Sequence, residues 1–299
     1  MAESSQDIQQ TLNRIRTIEL RARHLVDEMF AGSYHSVFKG QGMNFEEVRE
    51  YQAGDEIRTI DWNVTARFSE PYVKQFTEER QLLVLIVVDL SASGNFGSSE
   101  SSKREVAAEV AATLALSATR NSDRVGLILF SEDIELFIPP SKGRSHVLRI
   151  IREVLYRKPK HKGTDLAQAL EYLHRVVRNR SIAFVLSDFM APDFTQELSL
   201  VRRRHDLVAI RIEDPLEKEL PDIGRVVLQD EETGEQMEID TSNKAVREAH
   251  ARRISEQDDQ LNRLWSQHGI DALSLQTNED CYRGLQSFFD RREKRIHRS

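Results

Sequence analysis

Leu82-Leu83-Val84-Leu85-Ile86-Val87-Val88-Asp89 is an apolar run that stops on a carboxylate. A continuous β-branched run of this length reads as a strand covered on both faces, the pattern of a parallel sheet with helices above and below. An open α/β sheet presents its ligand site at the carboxyl ends of such strands. The chain continues as Asp89-Leu-Ser91-Ala-Ser93. One carboxylate and two hydroxyls, each two residues apart, can turn toward one point in a loop. They are hard oxygen donors of the kind that suits Mg²⁺ or Mn²⁺. The plain alternative is that the same residues cap the next helix.

Outward from this stretch the pattern alternates. Val106, Val110 and Leu114 recur at helical spacing, and Val125-Gly-Leu-Ile-Leu-Phe130 reads as a second strand. Ile134–Ile138 is expected to pair with it as a hairpin, with the strand over before Pro139-Pro140. Val147, Leu148, Ile151, Val154 and Leu155 mark a helix, and Gly163-Thr164-Asp165 opens another carrying Leu166, Leu170, Leu173 and Val177. Ile182–Leu186 is a strand that runs into Ser187-Asp188, and Leu207–Ile212 is a further strand that stops before Pro215. Strands alternating with helices imply right-handed crossovers. The predicted fold class is therefore α/β, a mostly parallel sheet with helices on both faces.

Two flanking features complete the layout. Residues 1–80 are expected to form a separate extension packed on the main domain: a helix over about Ser5–Phe30, with Leu12, Ile15, Ile18, Leu20, Leu25 and Val26 as its apolar residues, then short strands and turns rich in Gly and aromatics. In that second part Asp55, Arg58, Asp61 and Arg67 alternate in sign, which predicts mutual ion pairs, with a catalytic acid pair as the minor alternative. Residues 81–299 form the main domain. A β-hairpin insertion near 222–242 is built on the turn Asp230-Glu-Glu-Thr-Gly234, and a long helix ends at Gly269.

Two more oxygen groups belong with the first three. Thr164 lies in a strand-to-helix loop where Gly163 permits a tight turn, and Asp188 follows a middle strand. If these loops adjoin the first one, Asp89, Ser91, Ser93, Thr164 and Asp188 can surround one divalent cation. Only two of the five are charged, so the ion stays electrophilic and can accept an acid from elsewhere.

The order Asp-x-Ser-x-Ser, then Thr, then Asp resembles the metal-ion-dependent adhesion site of von Willebrand factor A domains. The upstream residues are more specific. Phe38-x-Gly40-x-Gly42-x-x-Phe45, Arg49-x-Tyr51-x-x-Gly54-Asp55-x-x-Arg58-x-Ile60-Asp61-Trp62, Thr65-Ala-Arg67, Pro71-x-Val73-Lys74 and Glu78-Glu79-Arg80 resemble the bacterial domain-of-unknown-function 58 family. This resemblance implies a von Willebrand A-like fold and a metal-dependent protein-binding module. It also implies a MoxR-type AAA+ ATPase as partner, with a role as adaptor in protein maturation or complex assembly. One departure is Gly94, where many A domains carry Met after the second serine.

Composition narrows the function classes. The formal net charge is −7, so no global basic face points to nucleic acid. A single cysteine, Cys281, excludes an internal disulfide or a thiolate cage. No apolar segment is long enough to span a bilayer, and the chain is expected to be cytoplasmic. No Gly-x-x-x-x-Gly-Lys-Ser/Thr loop is present, so ATP hydrolysis would belong to a partner. Nine scattered histidines offer only His161 near a site loop, which argues against an enzyme. The alternatives are a Mg²⁺-dependent hydrolase, which would need a base or nucleophile at the ion, and a structural domain with a vestigial site.

Overall fold

The computed structural model describes residues 5–29, 44–52, 55, 58, 60–67, 70–77, 81–99, 101–230 and 232–296. The chain divides into two compact units, residues 38–82 and the remainder. The N-terminal helix, grouped above with the extension, therefore belongs to the larger unit.

In the smaller unit, β1 (Asn44–Glu50) pairs antiparallel with β2 (Tyr72–Thr77). A one-turn helix, α2 (Trp62–Thr65), is capped by Asp61, whose Oδ1 accepts from the N–H of Asn63 at 2.9 Å and of Val64 at 3.3 Å. The expected ion pairing takes a different form. Asp55 is held by Arg49, with both guanidinium nitrogens 2.8 Å from its two oxygens. The Arg49 fork, then the Gln52 N–H, holds Asp55 below the usual carboxylate range. It is an ionised structural anchor rather than half of an acid pair. Gly32, Phe38, Gly40 and Gly42 of the quoted motifs, with Gly54 and Glu78–Arg80, lie outside the described residues.

The larger unit is built on a six-stranded sheet in the order β10-β7-β6-β3-β4-β5, whose strands are β3 (Leu83–Asp89), β4 (Arg124–Phe130), β5 (Ile134–Ser141), β6 (Ile182–Ser187), β7 (Asp206–Glu213) and β10 (Asp271–Gln276). All neighbours are parallel except β5, which runs antiparallel to β4. Val84 to Val88 are fully buried, as the unbroken apolar run requires. β5 is longer than expected: Pro139 and Pro140 lie inside it. Proline is tolerated there because β5 is an edge strand whose outer N–H positions need no partner.

Helices cover both faces. α3 (Lys103–Arg120) packs against α4 (Arg144–Tyr156), α1 (Ser5–Met29) and α9 (Cys281–Ile296). Buried Ala107, Ala108, Ala111, Ala112, Ala115 and Ala118 let α3 lie close to its neighbours. On α1 the buried stripe is Ile15, Ile18, Ala22 and Val26, while Leu12 and Leu20 are exposed. The buried Glu19 anchors this helix through Arg144, at 2.6 and 3.0 Å. Leu85, Val87, Ile128 and Phe130 share the other core with α5 (Leu166–Val176) and α6 (Thr195–Arg204). Trp265 of α8 (Lys244–His268) closes it, edge-on to Phe189 at 5.0 Å. β8 (Arg225–Gln229) and β9 (Gln236–Asp240) form the hairpin, preceded by the one-turn helix α7 (Pro215–Lys218). Among the described residues, no helix is long and apolar enough to cross a membrane.

Strand order decides where a site can form. From β3 the chain moves first to β4 on one side, and later to β6 on the other. The order reverses at β3, so a crevice opens between the carboxyl ends of β3 and β6. Asp89 ends the first of these strands and Asp188 follows the second.

Candidate functional site

Beyond β3 the chain turns at once. The Leu90 N–H donates to Phe130 O at 2.7 Å, and a single 3₁₀ turn covers Ala92–Asn95. The Asp89 Oδ1 accepts from the Ser91 N–H at 2.8 Å, which folds the loop back over the strand end. The Ser91 and Ser93 hydroxyls lie 3.1 Å apart, and Ser93 Oγ donates to Asp188 Oδ2 at 3.0 Å. Four of the five expected side chains thus meet at the crevice. A cavity of about 20 Å³ lies among Asp89, Ser91, Ser93, Lys103 and Asp188. That is room for about one water-sized body.

Thr164 does not line that cavity. Its loop is tied to the first, since the Ala92 N–H donates to Lys162 O at 3.0 Å and the Asp165 N–H to Ser131 O at 2.9 Å. Asp165 caps α5. The Thr164 hydroxyl does not bond to the other four residues. It donates to Glu232 Oε1 at 2.8 Å, at the tip of the β8–β9 hairpin.

The two aspartates differ in charge state. Burial, and then the negative charge of Asp188, pushes Asp89 up to about 7, against the Ser91 N–H and the Ser187 hydroxyl, which pull it down. Burial also works against Asp188, but Lys103 outweighs it, with help from the Met190 N–H and Ser93, and holds that carboxyl below its usual range. Lys103 Nζ lies 2.9 Å from Asp188 and 2.7 Å from Glu217 Oε1. Burial alone would lower its ammonium, yet the two carboxylates keep it charged.

Three contributors escaped the sequence reading. Ser187 Oγ donates to Asp89 Oδ2 at 2.8 Å and accepts from the Phe189 N–H at 3.0 Å. Lys103 had a legible signal: Ser102-Lys-Arg-Glu105 is a capping box, and a lysine in the first turn opposes the helix dipole unless a carboxylate faces it. Glu232 had none beyond its place in an acidic turn. Conversely, His161 stands away from these groups, beside the exposed Asp133 at 3.4 Å and Glu132 at 3.8 Å. Cys281 is buried, and burial, with Glu109 beside it, pushes its thiol up and away from the reactive thiolate. Among the described residues, no three His, Cys, Asp or Glu side chains form a metal-holding group. The crevice offers two aspartates and hydroxyls instead.

The chain is 33% identical over 283 residues to the uncharacterized protein Rv1480 of Mycobacterium tuberculosis, covering 94% of this chain and 89% of that one. Among solved structures, the conserved hypothetical protein BatB of Bacteroides thetaiotaomicron aligns with a TM-score of 0.47 and 15% identity, over 71% of this chain and 99% of its own. A von Willebrand factor type A structure from Catenulispora acidiphila aligns with a TM-score of 0.34 and 12% identity, over 58% and 41%. The sequence pattern of one family matches residues 47–260, which takes in the aspartates of β3 and β6, Thr164 and the hairpin: the chain belongs to the family described as Protein of unknown function DUF58.

Proposed function

We propose that this chain is a protein-binding module in which Asp89, Ser91, Ser93, Thr164 and Asp188 hold Mg²⁺ or Mn²⁺, and the ion takes an acidic side chain from a partner protein. One observation carries the reading. Two half-buried carboxylates face a small cavity rimmed by hydroxyls; the Lys103 ammonium sits on Asp188, while Asp89 accepts from the Ser91 N–H and the Ser187 hydroxyl. A carboxylate in that position either keeps a proton or meets a cation. The donor set is all oxygen, which fits a hard ion, and the cavity has room for one. When bound, the ion would supply an electropositive point for an anionic oxygen. The chain's own residues orient that point: Ser187 and the Ser91 N–H fix Asp89, and Lys103 fixes Asp188.

A MoxR-type AAA+ ATPase, in protein maturation or complex assembly, is the partner that the family resemblance suggests. A second reading has one specific observation behind it. Lys103 already neutralises Asp188, which would suit a structural domain with a vestigial site.

Thermal unfolding separates them. Mg²⁺ or Mn²⁺ is expected to raise the melting temperature of the wild type by linkage and to leave Asp89→Ala unmoved. No rise in the wild type favours the vestigial reading. For the partner, capture by wild type is compared with capture by the Asp89→Ala/Asp188→Ala double variant. Identical recovery of a MoxR-type ATPase by both removes the ion from recognition.

A further inference from the structure

The hairpin contributes something the five-residue set lacks. We infer that Glu232 is the chain's own stand-in for the partner's acid, so that the β8–β9 hairpin latches the site and a partner must displace it; this rests on the metal-dependent reading above.

The tip is built to present Glu232. Asp230 Oδ1 accepts from the Glu232 N–H at 2.8 Å and the Thr233 N–H at 2.9 Å. The Gly234 N–H donates to Asp230 O at 2.7 Å, and Gly234 adopts φ +74°, which favours glycine. So held, the Glu232 carboxylate meets Thr164 through Oε1 and lies near Gly163 through Oε2, about 4.0 Å from where a Cβ would stand. Ser91 also acts on it, as does the charge of Asp188. One carboxylate therefore contacts Thr164 of the candidate ligand set and feels Ser91 and Asp188. An acid near a second acid either keeps a proton or has a cation beside it, and the metal-dependent reading takes the cation.

The rest of the hairpin suits a movable arm. Its root is fixed: the Thr241 hydroxyl and N–H both donate to Gly224 O, at 2.7 and 2.8 Å, and Thr241 is fully buried. Beyond the root the strands are mostly exposed, with Val227 at 61% and Met237 at 65%. Two strands alone are marginally stable. A groove of about 1140 Å³ separates the arm from the body, lined by Leu228, Met237 and Ile239 on one side and Met190, Leu216 and Leu261 on the other. An arm held at its root and tip over such a groove can swing without disturbing the sheet. The partner it excludes would carry a carboxylate on a turn, flanked by apolar residues that fit the groove.

The test uses the full chain and Mn²⁺ alone. Mn²⁺ affinity is measured by calorimetry, and amide exchange is followed over residues 225–240, in the wild type, Glu232→Gln and Glu232→Ala. The latch predicts that Mn²⁺ slows exchange across the hairpin in the wild type and not in either variant. It also predicts that both variants bind Mn²⁺ roughly tenfold more weakly, because ligand charge count sets affinity for hard cations. Equal affinity and equal hairpin protection in all three proteins would overturn the latch and leave the metal reading standing. No Mn²⁺ binding by the wild type would overturn both.

Discussion

Two aspartates, one fully buried and one half-buried, stand at the same end of the sheet and behave in opposite ways. Asp214 follows β7 and is fully buried. Its carboxylate accepts from the Ser98 N–H at 2.8 Å, the Ser98 hydroxyl at 2.6 Å, the Thr277 hydroxyl at 2.6 Å and the Leu216 N–H at 2.9 Å. Burial alone would raise it, but those donors, Ser98 first, hold it below the usual carboxylate range. Asp89 accepts from the Ser91 N–H and the Ser187 hydroxyl, faces Asp188, and is pushed up to about 7. The sequence singles out Asp89 through its Asp-x-Ser-x-Ser pattern and carries no such signal at Asp214. The difference lies in the charge of Asp188, which faces Asp89 and raises it, together with the smaller number of donors that Asp89 has. The two are also joined in series. Glu217 accepts from the Asp214 N–H at 3.2 Å and from Lys103, which in turn holds Asp188.

The largest expected effect breaks the satisfied member. Asp214→Ala leaves the buried Thr277 hydroxyl without its acceptor and releases the donors of Ser98 and Leu216, both exposed, toward water, which costs about 2 to 3 kcal/mol of stability. Chemical denaturation with and without Mg²⁺ should give the same loss. A loss under about 1 kcal/mol would mean that the Thr277 hydroxyl also finds another partner, and the contrast with Asp89 would lose its basis.

The next effect has the opposite sign. Asp89→Asn removes a half-buried charge while keeping an oxygen for Ser187. In protein stripped of metal it should raise stability at neutral pH by on the order of 2 kcal/mol, and it should abolish any stabilisation by Mg²⁺. The pH profile makes the same point. For Asp89 the folded value lies above the ordinary 3.8, at about 7. Between those values the folded chain holds a proton that the unfolded chain has lost, so metal-free stability falls as pH rises through that window. For Asp214 the folded value is depressed. Its contribution is complete above the ordinary carboxylate pKa and is lost as pH falls through the lower, folded value. Unfolding of metal-free Asp89→Asn from about pH 2 to about pH 8 should therefore lack the decline toward neutrality and keep the decline in acid. A profile parallel to the wild type would sink the assignment.

How much of this was legible follows from what each feature depends on. The sheet core was, because Val84–Val88 and Ile182–Leu186 are buried on both faces and both read as unbroken apolar runs. So was the meeting of Asp89, Ser91, Ser93 and Asp188, because strand ends in a parallel sheet share one edge. Pro139 and Pro140 were misjudged as a strand terminus, since edge position is a property of the sheet order and not of the local residues. The grouping of α1 with the extension failed for a similar reason: its anchor is the long-range pair Glu19–Arg144. Glu232 was illegible because an exposed acid in a turn looks like any solvated acid until the turn is seen beside Thr164.

The smallest expected effect sharpens the comparison most finely, because it changes one donor. Ser187→Ala deletes the hydroxyl that bonds Asp89 Oδ2 and also accepts the Phe189 N–H. Phe189 sits at φ +58°, a left-handed conformation that a bulky residue adopts only under constraint. Its ring is held by Trp265 and Phe194, so the backbone should stay in place and the loss of stability should be about 1 kcal/mol. Asp89, now with one donor fewer, should be less well oriented, and Mn²⁺ affinity should fall roughly tenfold, as is usual when a partner that aims a ligand is removed. Calorimetry on Ser187→Ala beside the wild type reads this directly. If affinity is unchanged while Asp89→Asn abolishes binding, the Asp89 carboxylate is poised by the cavity alone, and donor count no longer contributes to its difference from Asp214.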